Sequence, residues 1–220
     1  MHIIQYMINR IIHQITGPRQ NDLIRKCLDS WDPLKNKDFT IKVWNDDLIT
    51  EFIREFYPYA SNAILKARNH AEAADIARYL IVYHYGGYYV DWDVELLDIG
   101  KFIKVTNRYK NGFLVLDPFN STIASECFSA LNGDRYLKYL VDEIIGIFNS
   151  KRRDEMGNPQ YSGPFRMRDV FFKFKLNNEV LKQEFIEIND IFLYNYREIR
   201  SMPERKKKVP LIHYWVHSWL

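Results

Sequence analysis

Cysteine is scarce: Cys27 and Cys127 are the only two in 220 residues. They stand far apart and outside any metal-ligand spacing, which excludes a disulfide-stapled scaffold and a cysteine-zinc module; reduced thiols are the expectation. Charge of one sign is also lacking. The 31 Lys and Arg less the 28 Asp and Glu leave +3, too little to argue for a nucleic-acid partner. No long apolar run is present either. The opening MHIIQYMINRIIHQI is rich in apolar residues, yet His2, Gln5, Asn9, Arg10 and His13 interrupt it before a signal-peptide core or a membrane span can form. The expectation is a cytoplasmic protein that does not cross a membrane. With 47% hydrophobic and 27% charged residues, the composition suits one folded domain spanning residues 1–220.

What is present centres on residues 71–97, AEAADIARYLIVYHYGGYYVDWDVELL. Ala71 to Tyr85 is free of Pro and Gly and predicts a helix, with Gly86-Gly87 as its left-handed stop. Tyr88-Tyr89-Val90 is aromatic and β-branched and predicts a strand ending at Asp91-Trp92-Asp93. In extended chain, residues two apart face the same side, so Asp91 and Asp93 are expected to present paired carboxylates, roughly 7 Å apart between Cα atoms. Two anions so close call for a hard divalent cation such as Mn²⁺ or Mg²⁺. Asp75 and Arg78, three apart on the helix, set an acceptor beside a forked cation. An isolated Asp-x-Asp is common in surface turns; the surrounding pattern is what makes this one specific.

That pattern, Asp-x-x-Arg, seven residues, then Gly-Gly-x-Tyr-x-Asp-x-Asp, resembles glycosyltransferase family 32, which contains the yeast initiating mannosyltransferase and, more distantly, the clostridial glucosylating toxins. The resemblance runs from Ile11 to Trp219. The strand Arg10 to Ile15 resembles the family's opening, although Thr16 stands where an aromatic, usually Trp, is common. Tyr161-Ser162-Gly163-Pro164 is similar to its Thr-Gly-Pro turn, and Ile212-His213-Tyr214-Trp215-Val216-His217-Ser218-Trp219 to its ending. The implied fold is α/β of the GT-A type, a Rossmann-like nucleotide-binding mixed sheet flanked by helices. The implied chemistry is retaining transfer of a sugar from a nucleotide-sugar donor, UDP-linked by preference, to a hydroxyl of a glycan or glycolipid acceptor, as in surface polysaccharide synthesis. The 15% of aromatic residues suits platforms for sugar rings and equally a thick aromatic core.

By the same resemblance Asp93 ligates the metal directly, Asp91 supports it and holds the ribose, and His213 joins them. Asp75 and Arg78 grip donor-sugar hydroxyls. Ile15, Thr16, Tyr89, Trp92, Ser218 and Trp219 complete the donor contacts. On its own terms, His13 is more often a structural histidine than a ligand, and His213 with His217 beside two tryptophans reads as an aromatic packing cluster. Glu95 either extends the acidic cluster or is solvated.

Along the chain, helices are expected over Gln20 to Trp31, after Asn45 with a core stripe of Leu48, Ile49, Phe52, Ile53 and Phe56, over Ser61 to Arg68, after an N-cap at Asp134, and over Phe165 to Leu176. Further strands are expected at Thr40 to Trp44, Val94 to Leu97, Phe113 to Leu116, Phe185 to Ile188 and Ile191 to Tyr194. A polar loop from Lys151 to Gln160 is expected to be mobile. The basic run Arg205, Lys206, Lys207 and Lys208 is a solvated loop, or else a peripheral contact for anionic membrane or the donor diphosphate. Two other classes compete. Phosphatases built on Asp-x-Asp expect Thr where Glu95 stands, and a non-catalytic sugar- or membrane-binding module has no need of the whole set of charged residues.

Overall fold

The computed structural model describes residues 7–177, 179–204 and 208–216. In chain order the elements are β1 (Ile11–Ile15), α1 (Asp22–Asp29), β2 (Thr40–Trp44), α2 (Asp46–Phe56), α3 (Ser61–Leu65), α4 (His70–Tyr85), β3 (Gly87–Val90), β4 (Val94–Leu96) and α5 (Ile99–Arg108). There follow β5 (Phe113–Asp117), β6 (Thr122–Ala130), α6 (Arg135–Asn149), α7 (Asn158–Tyr161), α8 (Pro164–Leu176), β7 (Glu184–Glu187), α9 (Ile188–Ile191) and β8 (Leu211–His213). A six-stranded sheet has the order β2-β1-β3-β6-β5-β7, and β4 pairs with β8 in a second, two-stranded sheet. In the large sheet β6 alone runs against the others. β1, β2 and β3 therefore deliver their carboxyl ends to one edge, the edge at which α/β sheets collect ligands.

Local chemistry explains the boundaries. Asn21, Asn45, Asn69, Asp98 and Asp134 each accept a backbone N–H in the first turn of the helix that follows, closing α1, α2, α4, α5 and α6 at their N-termini. The expected cap at Asp134 is among them. At the far end of α4, Gly86 and Gly87 have φ of +65° and +106°, and a Cβ on Gly87 would stand 2.5 Å from the carbonyl oxygen of Ile11 in β1. Only glycine lets β3 enter the sheet so close to its neighbour.

Two apolar layers cover the sheet. One face, with Ile15, Trp44, Tyr89 and Phe128, packs on α2, α3, α4, α6 and α8; the other, with Ile12, Tyr88, Val90 and Val115, packs on Trp31, Phe102 of α5 and the β4-β8 pair. The 16-residue α4 is buried along most of its length, including Asp75 and Arg78, so it is a central helix and not an amphipathic surface one. Both cysteines are free and buried. Among the described residues no helix is long and apolar enough to cross a membrane.

Several expectations are corrected. The helix from Gln20 is shorter, because Asn21 caps it and the chain passes into a 3-10 turn at Asp32–Lys37. Leu48 and Phe56 are exposed and leave the expected α2 stripe to Ile49, Phe52 and Ile53. Ile191 to Tyr194 is no strand: Ile191 closes α9, and Phe192 alone makes a bridge, to Leu211. The loop from Lys151 to Gln160 holds a 3-10 turn at Arg153–Glu155 and the start of α7. Neither α5 nor β6 was anticipated.

Candidate functional site

Helical spacing places Asp75 and Arg78 on one face of α4, aimed at the end of β3. The Arg78 guanidinium lies 3.1 Å from the Asp75 carboxylate and 3.3 Å from that of Asp91, and donates to the Ser125 carbonyl on β6 at 2.9 Å. Its plane also covers the Tyr89 ring, 4.7 Å from the centroid. The Tyr89 hydroxyl donates to Asp91 at 2.7 Å. One Asp91 oxygen is thus gripped from two sides, while the side chain stays partly open to solvent.

Asp91-Trp92-Asp93 is a turn and not extended chain. The Val94 N–H closes it on the Asp91 carbonyl at 3.1 Å. The expected extended geometry is corrected here; the turn itself brings the two carboxylates toward a common point. The chain re-enters sheet pairing at Val94, opposite His213 of β8. Two main-chain bonds tie this tail to the turn: Val216 N–H to the Asp93 carboxylate at 2.7 Å and Tyr214 N–H to the Asp93 carbonyl at 3.1 Å. The His213 Nε2 lies 3.2 Å from Asp93. Trp215, at φ +47°, stacks on the His213 ring with centroids 4.1 Å apart.

Electrostatics follow from this crowding. Burial pushes Asp75 up to about 6, against the pull of Arg78 and a hydrogen bond from Ser162. Burial would raise Asp93 too, but the charge and hydrogen bond of His213, with the Val216 N–H, hold it below the usual carboxylate range. His213 moves the opposite way: burial is outweighed by Asp93 and then Glu126, and its affinity for a proton rises. Asp91, Asp93 and His213 offer ligand atoms that all lie within 4.8 Å of one another. Two carboxylate oxygens and an imidazole nitrogen form a donor set suited to Mn²⁺ or Mg²⁺, and a cation would replace the proton that His213 now shares with Asp93.

The other residues named from the sequence stand apart from this cluster or outside the described residues. Ile15 and Trp92 are buried, and Thr16, at the end of β1, gives its hydroxyl to the Trp44 carbonyl at 3.3 Å. Glu95 does not join the cluster, since Lys26 at 2.9 Å and the Tyr214 hydroxyl at 2.6 Å take its carboxylate. His13 is structural: its Nδ1 accepts the Trp44 indole N–H at 3.2 Å, leaving Nε2 to donate to the Gly86 carbonyl at 3.0 Å. His217, Ser218, Trp219, Arg205, Lys206 and Lys207 lie outside the described residues, and Lys208 is exposed.

Three contributors were missed by sequence reasoning. Ser125 and Glu126 come from the unanticipated β6. Ser162 stands in the Ser-Gly-Pro turn, where the resemblance implies a hydroxyl near the sugar but gives no partner for it; that hydroxyl donates to Asp75 at 2.8 Å. The Ser-Gly-Pro tripeptide was the available signal for the third; nothing in TIASECFSA marked the first two.

Residues 20–108 match the family described as "Glycosyltransferase sugar-binding region containing DXD motif", a stretch that includes Asp75, Arg78, Asp91 and Asp93. The chain is similar to mannosyl phosphorylinositol ceramide synthase SUR1 of Saccharomyces cerevisiae, 38% identical over 92 residues, covering 40% of this chain and 23% of that protein. It is 33% identical over 94 residues to inositol phosphoceramide mannosyltransferase 3 of Schizosaccharomyces pombe, covering 40% of this chain and 24% of that one. It thus spans about a quarter of the length of these curated relatives. Among solved structures, the PaToxG glycosyltransferase superposes with a TM-score of 0.56 at 16% identity, covering 76% of this chain and 70% of the other. A glycosyltransferase involved in glycosylation of the major capsid of PBCV-1 superposes with 0.52 at 12% identity, covering 92% and 94%. The fold is the GT-A glycosyltransferase fold, and the resemblance to the sugar transferases that carry an Asp-x-Asp motif is borne out.

Proposed function

We propose that this chain is a metal-dependent retaining glycosyltransferase that moves a sugar from a nucleoside-diphosphate donor to a hydroxyl of a glycan or glycolipid. The observation that carries this reading is the convergence of Asp91, Asp93 and His213 on one point beside Arg78. Those three hold the divalent ion, Mn²⁺ or Mg²⁺, whose chemistry is to neutralise charge that develops on the departing diphosphate. Asp75 and Arg78 take donor-sugar hydroxyls, one as acceptor and the other as donor. Tyr89 orients Asp91. A cavity of about 380 Å³ lined by Asp46, Ile49, Ile64, Asn69, His70 and Ala74 lies between α2, α3 and the first turn of α4, beyond the end of β2, and is assigned to the nucleoside. UDP is the preferred carrier.

Retention follows if the acceptor oxygen bonds the anomeric carbon from the side the diphosphate leaves. The carbon–oxygen bond to phosphate breaks with its electron pair going to the phosphate oxygen, which takes the acceptor's proton. A glycosylated carboxylate accumulating with donor alone would sink this route in favour of double displacement.

The curated relatives are named for transfer to inositol phosphoceramide. On that basis the acceptor class proposed here is a lipid-linked hydroxyl. A groove of about 450 Å³ lined by Leu116, Pro118, Ile123, Phe171 and Phe172 lies at the carboxyl end of β5, on the edge that carries the site, and suits an apolar chain.

The test is a panel of UDP- and GDP-sugars with Mn²⁺, reading released nucleoside diphosphate beside Asp93→Asn, followed by glycolipid and soluble glycan acceptors. Hydrolysis of one donor that disappears in the variant supports the reading. No turnover and no metal-dependent donor binding would move a non-catalytic sugar-binding module ahead of it.

A further inference from the structure

Behind His213 stands a carboxylate that belongs to no motif. Glu126 lies on β6, opposite the end of β3, and its carbonyl accepts the Asp91 N–H at 2.9 Å. The residue is therefore fixed to the same turn that carries the acidic pair. Its Oε1 is 3.9 Å from Nδ1 of His213, while Nε2 of that ring faces Asp93 at 3.2 Å. The imidazole is held edge-on between two acids. Its Nδ1 is buried and makes no hydrogen bond.

A neutral imidazole can ligate an ion through one nitrogen only if the proton resides on the other, and that proton needs an acceptor. Trp215 on one side and Phe192 nearby, with centroids 4.1 and 5.9 Å from the ring, fix the plane of His213. Stacking cannot decide which nitrogen carries the proton. The acids at the two edges can. Asp93 stands at the Nε2 edge, among the groups that would hold the ion; Glu126 stands at the Nδ1 edge, outside the group whose ligand atoms converge. Closing 3.9 Å to a hydrogen bond of about 2.8 Å needs a carboxylate shift of roughly 1 Å.

We propose that Glu126 is a positioning residue: it accepts the Nδ1–H of His213 and so turns the Nε2 lone pair toward the cation held with Asp91 and Asp93. The proposal rests on the metal-dependent reading given above and adds to it the residue that orients the imidazole.

The experiment is Mn²⁺ binding to the protein without donor, read from the electron paramagnetic resonance signal of free Mn²⁺, for wild type, Glu126→Ala and Glu126→Gln. A second readout is the His213 Nδ1–H resonance in ¹⁵N-histidine protein loaded with diamagnetic Cd²⁺. Glu126→Ala is expected to keep its melting temperature and to bind Mn²⁺ about 10- to 100-fold more weakly. Its Nδ1–H signal should be lost to solvent exchange. The amide oxygen of Glu126→Gln accepts the same bond, so that variant should return to within about fivefold of wild type. Wild-type affinity in Glu126→Ala would overturn the proposal. So would a Gln variant as weak as the Ala variant, which would mark Glu126 as a ligand or a bare charge. If Glu126→Ala does not fold, Glu126→Leu, closer in volume, carries the same expectation. Failure of the underlying metal reading is separable, because it would show as absent Mn²⁺ binding in the wild type.

Discussion

Ser162 donates a 2.8 Å hydrogen bond to the carboxylate of Asp75 across 87 residues of chain, tying the turn before α8 to the middle of α4. The Ser162 carbonyl in turn accepts the Tyr79 hydroxyl at 2.8 Å, so one small residue serves two positions on that helix. Ser162→Ala leaves a buried carboxylate oxygen without its donor. A loss of about 1–3 kcal/mol in urea unfolding is expected, with weaker donor binding. Ser162→Thr keeps the hydroxyl and should lose less on both measures.

Arg78 joins Asp75, Asp91 and the Ser125 carbonyl while lying over Tyr89. A lysine carries one compact charge and cannot reproduce that fork. Arg78→Lys should therefore cost roughly 3–5 kcal/mol, the range for breaking a buried ion-pair network. Donor turnover should fall by about 100-fold or more, since the carboxylates it positions are displaced. Urea denaturation and nucleotide-release assays report the two effects separately.

Acid should expose His13. Burial lowers its pKa from 6.5 to about 4, because a charged imidazole cannot both accept the Trp44 N–H and sit in an apolar layer. The unfolded chain takes up this proton near 6.5 and the folded chain only near 4. The stability linked to it is thus complete above pH 6.5 and is lost as pH falls toward 4, by an amount on the order of 3 kcal/mol. Comparing the pH dependence of unfolding for wild type and His13→Gln checks this; the variant's curve should be flatter in that window.

Gly87→Ala tests how close β3 lies to β1. Its Cβ would meet the Ile11 carbonyl at 2.5 Å with φ at +106°. A destabilisation of about 2–4 kcal/mol is expected from overpacking combined with a forbidden backbone conformation. A variant as stable as wild type would show that the strand pair has room to part.

Metal should stabilise the fold. Mn²⁺ at a hundredfold excess over its dissociation constant should add about 2.7 kcal/mol, visible as a raised melting temperature. Asp93→Asn keeps an oxygen for the Val216 N–H and should fold without that response.

Much of the site was legible because it is local. Asp75 and Arg78 sit three apart in an uninterrupted helical stretch, and Gly-Gly followed by aromatic residues marks helix, stop and strand. What stayed hidden is non-local. β6 reads TIASECFSA, with neither alternation nor β-branched density, because it lies between β3 and β5 with both faces covered. Its two polar site residues were hidden with it. The Asp91–Asp93 turn is indistinguishable from extended chain by spacing alone, since a two-residue spacing fits both; the bond from the Val94 N–H to the Asp91 carbonyl makes it a turn.

That pairing also sets a schedule. The acidic turn is made early, but its cover comes from Val216 and its neighbours, 123 residues further along the chain. At a synthesis rate of about 5–20 residues per second, the gap is roughly 6–25 s. Throughout that interval a nascent chain carries Asp93 without His213 or the backbone amide that holds it. A product cut short after β7 would retain the paired aspartates and the whole large sheet, and lack His213, the third member of the candidate cluster.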